Sequence, residues 1–313
     1  MERTANKISI VGVGLVGSSI AYAMTILGLT GELVLVDENG EKSLGEALDL
    51  GDSMAFGQKT QVRAGDFKDC SDSDIIIFSG RVNRRVGENQ SDLLQRNLAL
   101  LEKCLAGVEH RCDGTIMLVV SNPVDVMTYA AVKMSGWPQE KIIGLGTVLE
   151  TSRFRNILGE QFKIGVNNIN AYVAGGHGAF IVPLWSAVNI AGVSLEQFCR
   201  LRNITDLDRK EIYDRILTGA YDIVFHKGAS YYAISRAVIR VCQSVLRDDN
   251  SILTVTGSMG GLHGLGDVCL SFPSRINRKG RREILPLNPS PEEIKALKRS
   301  AEAVRGLQKE ISF

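Results

Sequence analysis

The segment Gly12-Val13-Gly14-Leu15-Val16-Gly17 constrains this chain more than any other. It follows an apolar run of β type, Lys7-Ile8-Ser9-Ile10-Val11, and leads into a helix-favouring run from Ser18 to Met24. A strand that enters a glycine turn and leaves as a helix opens a βαβ unit whose helix N-terminus faces an anion. Gly12 and Gly14 are expected to allow the tight turn and let backbone approach a pyrophosphate. Gly17 is expected to let the helix pack close to the strand. A second apolar run, Glu32-Leu33-Val34-Leu35-Val36, ends in Asp37, about 20 residues after Gly17. An acid at that place suits adenosine ribose hydroxyls and repels a 2′-phosphate. The expected cofactor is therefore NAD rather than NADP.

The uncharged stretch from Ile8 to Gly31, preceded by Arg3 and Lys7, has the length of a signal peptide or a membrane span. Glycines and serines interrupt it, it starts with strand character, and its removal would delete the phosphate turn. Both of those readings are rejected. Lys plus Arg (36) nearly balances Asp plus Glu (35), which argues against a nucleic-acid or membrane-surface partner. The cysteines at 70, 104, 112, 199, 242 and 269 form no CxxC pair and do not cluster with the four histidines. They read as reduced thiols of a cytoplasmic protein, and no metal site is expected.

Up to about residue 146 the pattern alternates. Apolar runs of strand length are expected at 7–11, 32–36, 60–63, 75–79, 116–120 and 142–145, with helices over 18–28, 40–50, 90–107 and 123–135. The strand runs do not alternate in polarity, so both faces are buried. This pattern predicts an α/β fold, a doubly wound parallel (Rossmann) sheet over residues 1–146 that binds a dinucleotide. A mixed α+β substrate domain is expected over 147–313. There, 151–161 and 208–246 look helical, 162–190 and 252–285 strand-rich, and Pro289 to Glu310 a closing amphipathic helix.

The second half carries the residues expected to perform chemistry. Glu150 and Arg153 stand about one helical turn apart in Leu149-Glu150-Thr151-Ser152-Arg153, and His177 lies within Gly175-Gly176-His177-Gly178. An arginine can grip a carboxylate with two parallel hydrogen bonds. A histidine can pass a proton to a carbonyl oxygen near neutral pH. A carboxylate can fix the histidine's tautomer and favour its charged form. Next to a dinucleotide site, these are parts for reducing a 2-oxo acid.

Further ordered segments are Gly45-Glu46-Ala47-Leu48-Asp49-Leu50, Ser121-Asn122-Pro123-Val124-Asp125, Gly144-Leu145-Gly146-Thr147, Arg153-Phe154-Arg155, and Lys227-Gly228-Ala229-Ser230-Tyr231-Tyr232-Ala233-Ile234. With the glycine turn, Asp37 and the His177 segment, they resemble the L-lactate/malate dehydrogenase family over nearly the whole chain. The resemblance implies an NAD-dependent dehydrogenase acting on a small 2-hydroxy acid, assembled as a homodimer or homotetramer. It implies that His177 is the general acid/base and that Arg153 binds the substrate carboxylate. Asn122 and Ser230 would line the substrate pocket, and Gly80, Asn97, Val120 and Asn122 would contact the cofactor.

Two departures stand out. The family has aspartate as the histidine's partner, and this chain has Glu150, one methylene longer. The family's mobile loop, matched here by Ser79 to Leu93, carries a carbonyl-polarising arginine three residues after the match to Gly87; here that residue is Gln90. Arg84 falls at the substrate-selecting position, where arginine suits malate enzymes, whereas Glu88 and the Ala229–Ile234 stretch resemble lactate enzymes. Pyruvate is the favoured substrate and oxaloacetate the alternative. Two accounts of the loop remain open. Arg81, Arg84 or Arg85 replaces the lost arginine, or the loop no longer serves fast reduction and the chain is a catalytically weak NAD-binding regulator.

Overall fold

The structure, a computed structural model, describes residues 6–57, 59–82, 87 and 89–311. The first half alternates β1 (Lys7–Val11), α1 (Leu15–Leu27), β2 (Glu32–Val36), α2 (Gly40–Ser53), β3 (Gln61–Gly65), β4 (Ile75–Phe78), α3 (Gln90–Gly107), β5 (Ile116–Val119), α4 (Val124–Ser135) and β6 (Ile142–Gly144). All residues of β1, β4 and β5 are buried, which explains the unbroken apolar character of β4 and β5; in β1 the buried Lys7 and Ser9 interrupt it. The strands pair in parallel in the order β3-β2-β1-β4-β5-β6, with Ile10 opposite both Leu35 and Ile77. One apolar layer gathers Ile8, Ile10, Ile20, Met24 and Ile77, and the other Val34, Ile76, Phe78, Leu101 and Met127. The winding direction reverses between β1 and β4. In such sheets a ligand crevice opens at that point, beyond the C-terminal strand ends.

The second half comprises α5 (Val148–Phe162), β7 (Ile169–Asn170), β8 (Val173–Gly175), β9 (Ile181–Pro183), β10 (Asn189–Ile190), β11 (Val193–Ser194), α6 (Leu195–Leu201), α7 (Arg209–Lys227), α8 (Tyr232–Arg247), β12 (Ser251–Ser258), β13 (Cys269–Asn277), β14 (Gly280–Ile284) and α9 (Pro291–Gln308). The sheet continues across the midpoint of the chain. Antiparallel β12 joins β6 where Thr256 faces Gly144, and β13 carries the sheet on to β8 and β9. β7, β10 and β11 make a separate small sheet. The helical stretch expected over 208–246 is two helices, because the chain turns at Gly228 with φ +82°, a conformation side chains disfavour. Val238, Val241 and Val245 of α8 enter the same apolar layer as Ile20 and Met24 of α1, so a helix from the second half closes one face of the parallel sheet. The start of α9 follows its sequence signals: Pro291 is the first helical residue, and Ser290 and Glu293 cap each other's backbone N–H.

At Gly17 on α1, a Cβ would collide with the carbonyl oxygen of Gly12, so the absent side chain sets how closely α1 approaches the turn. Gly17→Ala is predicted to force the helix away, costing about 1–3 kcal/mol as overpacking does. Urea unfolding should show a lowered midpoint, and NADH titration a weaker affinity. A midpoint and affinity equal to wild type would contradict this packing.

Candidate active site

The crevice begins at the glycine turn. Gly12 has φ +90°, and a Cβ there would overlap the backbone of Gly80, so β1 and β4 meet at their ends only through two glycines. Ser79 Oγ donates to the Gly12 carbonyl at 2.8 Å and Ser121 Oγ to the Gly80 carbonyl at 2.5 Å, which ties the two ends together. Gly14 differs from the sequence expectation. Its φ of −70° is open to any residue, so the tight turn does not require glycine there. A Cβ on Gly14 would touch nothing within 4 Å, and its absence leaves the approach to α1 clear. The first turn of α1 has no side-chain cap and no acid, so its backbone N–H groups are available to an anion. Asp37 anchors the turn itself: Oδ2 accepts the Val13 N–H and Oδ1 the Asn39 N–H, both at 3.0 Å. Lys42 Nζ stands 4.0 Å from Asp37 Oδ2. Each carboxylate oxygen retains a lone pair for a ribose hydroxyl. Val120 continues β5 into the crevice, its N–H bound to the Phe78 carbonyl at 2.8 Å, and Asn122 is exposed just beyond. These residues fit a dinucleotide: an open helix N-terminus for pyrophosphate and a carboxylate at the end of the second strand.

His177 sits in the turn between β8 and β9, half-buried and held from three sides. Its Nδ1 lies 3.2 Å from Oε1 of Glu150 on α5. This contact is an ion pair rather than an aligned hydrogen bond, and Glu150 Oε2, also buried, has no hydrogen-bond partner among the described residues. The longer glutamate therefore reaches the ring. The backbone N–H of His177 donates to Asp125 Oδ2 at 2.7 Å, and the preceding Gly176 N–H donates to Ser300 Oγ at 2.8 Å. Burial alone would lower the histidine's pKa. Glu150 foremost, with Asp125 adding, outweighs burial and the opposing Arg153, and holds it above the ordinary histidine value. For Glu150, burial would raise the pKa, but His177 and Arg153 bring it below the usual carboxylate range. The pair is thus biased towards imidazolium and carboxylate.

A cavity of about 350 Å³ opens at this histidine. It is lined among others by Arg81, Gln90, Asn97, Asn122, Phe180 and Leu307. Asn97 is buried on α3 and accepts the Val82 N–H at 2.9 Å, which fixes the chain just after Arg81. Gln90 belongs to the first turn of α3, which starts behind the capping Asn89 at the residue expected for this helix, so the last residues of the Ser79–Leu93 stretch are helical. Neither Arg153 nor Ser230, both expected to hold or line the substrate, is in the cavity lining. Arg153 lies on the same helix as Glu150 but turns towards α7, where Nη1 donates to the Ile216 carbonyl at 2.6 Å. Ser230 occupies the turn between α7 and α8, half-buried. Arg84, Arg85 and Glu88 lie outside the described residues. Sequence reasoning passed over Asp125 and Ser300 as site residues. An acid inside the apolar run Val124-Asp125-Val126-Met127 was the available signal for Asp125. Nothing in the sequence marks Ser300. Among the described residues no group of His, Cys, Asp and Glu gathers as a metal site, and no helix is long and apolar enough to cross a membrane.

Fold, crevice and histidine together define a dinucleotide-dependent oxidoreductase architecture, and comparison with known proteins gives the family. Residues 6–144 match the lactate/malate dehydrogenase NAD binding domain, and residues 147–312 the alpha/beta C-terminal domain of the same family. The chain belongs to the lactate/malate dehydrogenase family, and its cofactor is NAD. It is 39% identical to an L-lactate dehydrogenase of Acetivibrio thermocellus, covering 100% of this chain and 99% of the relative. It is 40% identical to one of Thermoanaerobacter sp., covering 98% and 100%. Among solved structures, a lactate dehydrogenase from a Medee basin deep-sea metagenome library superposes with a TM-score of 0.93 at 33% identity, covering 98% of this chain and 99% of that one. The minor L-lactate dehydrogenase from Enterococcus mundtii gives 0.93 at 31% identity, covering 99% and 100%.

Substitution Glu150→Gln removes the main charge that raises the His177 pKa and leaves only Asp125 to oppose burial and Arg153, which lower it. A reaction that needs the protonated ring loses rate as pH rises through that pKa. The alkaline limb of kcat/KM for 2-oxo acid reduction is therefore predicted to move to lower pH in the variant. A limb at the wild-type position would show that the ion pair does not set the histidine's protonation.

Proposed function

We propose that this enzyme interconverts pyruvate and L-lactate. The observation that carries the reading is the buried Glu150 carboxylate 3.2 Å from His177 Nδ1, which favours a charged imidazole at the mouth of a cavity that Asn122 also lines. The names of the full-length relatives support the substrate. In this reading residues 1–146 hold the cofactor at the open N-terminus of α1, and residues 147–313 supply the acid and the carboxylate anchor. NADH, when bound, supplies the hydride. Arg153 exchanges its bond to the Ile216 carbonyl for the substrate carboxylate, which it can grip with two donors. His177, oriented through Nδ1 by Glu150, donates the Nε2 proton to the carbonyl oxygen, and in the reverse direction the neutral ring accepts it. Asn122 orients the substrate beside the histidine. The six free cysteines suit a cytoplasmic protein, and exposed apolar residues such as Tyr22, Leu44 and Leu48 suit a homodimer or homotetramer.

Initial rates of NADH absorbance decay with pyruvate, oxaloacetate and bulkier 2-oxo acids test the substrate. Pyruvate should give the highest kcat/KM, and a clear preference for oxaloacetate would overturn the choice. His177→Asn should retain NADH affinity and lose on the order of 10²–10⁴-fold in turnover, the usual worth of a positioned general acid. Retained turnover would mean that the proton comes from elsewhere.

Gln90 cannot offer a charge to a developing oxyanion, and Arg81 lines the same cavity. We infer that Arg81 performs this part. Arg81→Ala should then be severe, and Gln90→Arg should add little. If Gln90→Arg instead accelerates pyruvate reduction by the equivalent of about 3–4 kcal/mol while Arg81→Ala is harmless, the cavity lacks the donor that such sites use.

A further inference from the structure

The buried acid beneath the histidine turn is the feature the reaction above leaves unused. Asp125 is 4% exposed in the first turn of α4, where the helix dipole favours a negative charge. Oδ2 accepts the His177 N–H at 2.7 Å, and Oδ1 accepts the hydroxyl proton of Thr256 at 2.6 Å. Thr256 Oγ1 lies 2.9 Å from Ser271 Oγ, which in turn accepts the N–H of Thr147 at 3.1 Å. Thr147 stands immediately before α5, the helix that carries Glu150. One direction satisfies every group: the Thr147 N–H donates to Ser271, Ser271 to Thr256, and Thr256 to Asp125. The relay therefore links the backbone of His177 to the helix that holds its ring. A Cβ on Gly176 would collide with Val304 at 2.7 Å and crowd Phe180 at 3.1 Å, while meeting Asp125 Oδ2 at 3.4 Å, an ordinary contact.

We propose that Asp125 is a positioning residue for proton transfer: ionised, it clamps the His177 turn from below and, with Glu150 on the ring side, places and charges the imidazole. This rests on His177 being the proton donor. A neutral acceptor could hold the same backbone N–H, so the carboxylate points to a role for its charge. Among the described residues, the charged groups facing His177 are Glu150 and Arg153 from α5 and Asp125 from α4. Arg81 and Glu310 line the adjoining cavity. Near Asp125, the Cys269 thiol on β13 is pushed to about 12, by burial first, and stays neutral. Burial also raises the Asp125 pKa, while the donors from Thr256 and His177 oppose it. The clamp thus depends on its hydrogen bonds to remain ionised.

Asp125→Asn keeps the shape but removes the charge, and its single carbonyl oxygen can accept from only one of the two donors, Thr256 and the His177 N–H. The ring nitrogens of His177 are followed by ¹⁵N NMR against pH in the intact enzyme, alongside kcat/KM for pyruvate. The variant should titrate His177 at lower pH and lose on the order of 10–100-fold in kcat/KM at pH 7.5, as small misplacements of reacting groups do, with NADH affinity unchanged. An unshifted His177 titration in a folded Asp125→Asn enzyme overturns the proposal, as does loss confined to thermal stability. If that variant does not fold, Thr256→Val removes the donor that keeps Asp125 ionised and should move the titration the same way, with Thr256→Ser restoring it. No shift in Thr256→Val overturns the proposal equally. Should wild type reduce no 2-oxo acid while the His177 titration still shifts in Asp125→Asn, the clamp stands and the pyruvate reading falls.

Discussion

The contact between His177 and Glu150 is the interaction on which the rest of the site depends. A carboxylate taken out of water is costly, and its charge persists only with a partner. Here the partner is an imidazole arriving from the turn between β8 and β9, and each group biases the other towards its charged form. The arrangement requires α5 to present Glu150 inward and the β8–β9 turn to sit close above it. The antiparallel strands β12 and β13 meet both requirements by carrying the parallel sheet on to β8. The glutamate reaches the ring at 3.2 Å, as an ion pair rather than an aligned hydrogen bond.

The two halves of the chain are more interlocked than a linear reading suggests. Gly12 and Gly80 fuse the ends of β1 and β4 in the first half, while α8 from the second half seals the apolar layer beneath α1. The Thr147–Ser271–Thr256–Asp125 relay crosses the same boundary with buried polar groups. Networks of this kind rigidify a site when every member is satisfied. The crevice at the winding reversal and the histidine cavity share Asn122, which stands at the end of β5 and in the cavity lining.

Much of the fold was legible because local signals agreed with the global architecture. Unbroken apolar runs marked strands buried on both faces, and the amphipathic pattern after Pro289 marked the closing helix. The glycine turn was legible as a turn, although Gly14 has ordinary backbone angles and a Cβ there would meet nothing within 4 Å. The pairing of Glu150 with His177 could be anticipated from chemistry. The tertiary consequences could not. That Arg153 turns to the Ile216 carbonyl depends on where α7 packs, and Asp125 acquires its contacts only when α4, β12 and the His177 turn converge. No periodicity encodes such meetings, because the partners are far apart in the chain.

The central claim is that His177 and Arg153 receive a 2-oxo acid beside NADH. A crystal structure of the ternary complex with NADH and oxamate, an unreactive analogue of pyruvate, tests it most directly. The account predicts the pyrophosphate at the N-terminus of α1, the oxamate carboxylate on Arg153 released from Ile216, and the oxamate carbonyl within hydrogen-bond distance of His177 Nε2. Oxamate bound away from His177, with Arg153 still held by the Ile216 carbonyl, would contradict it.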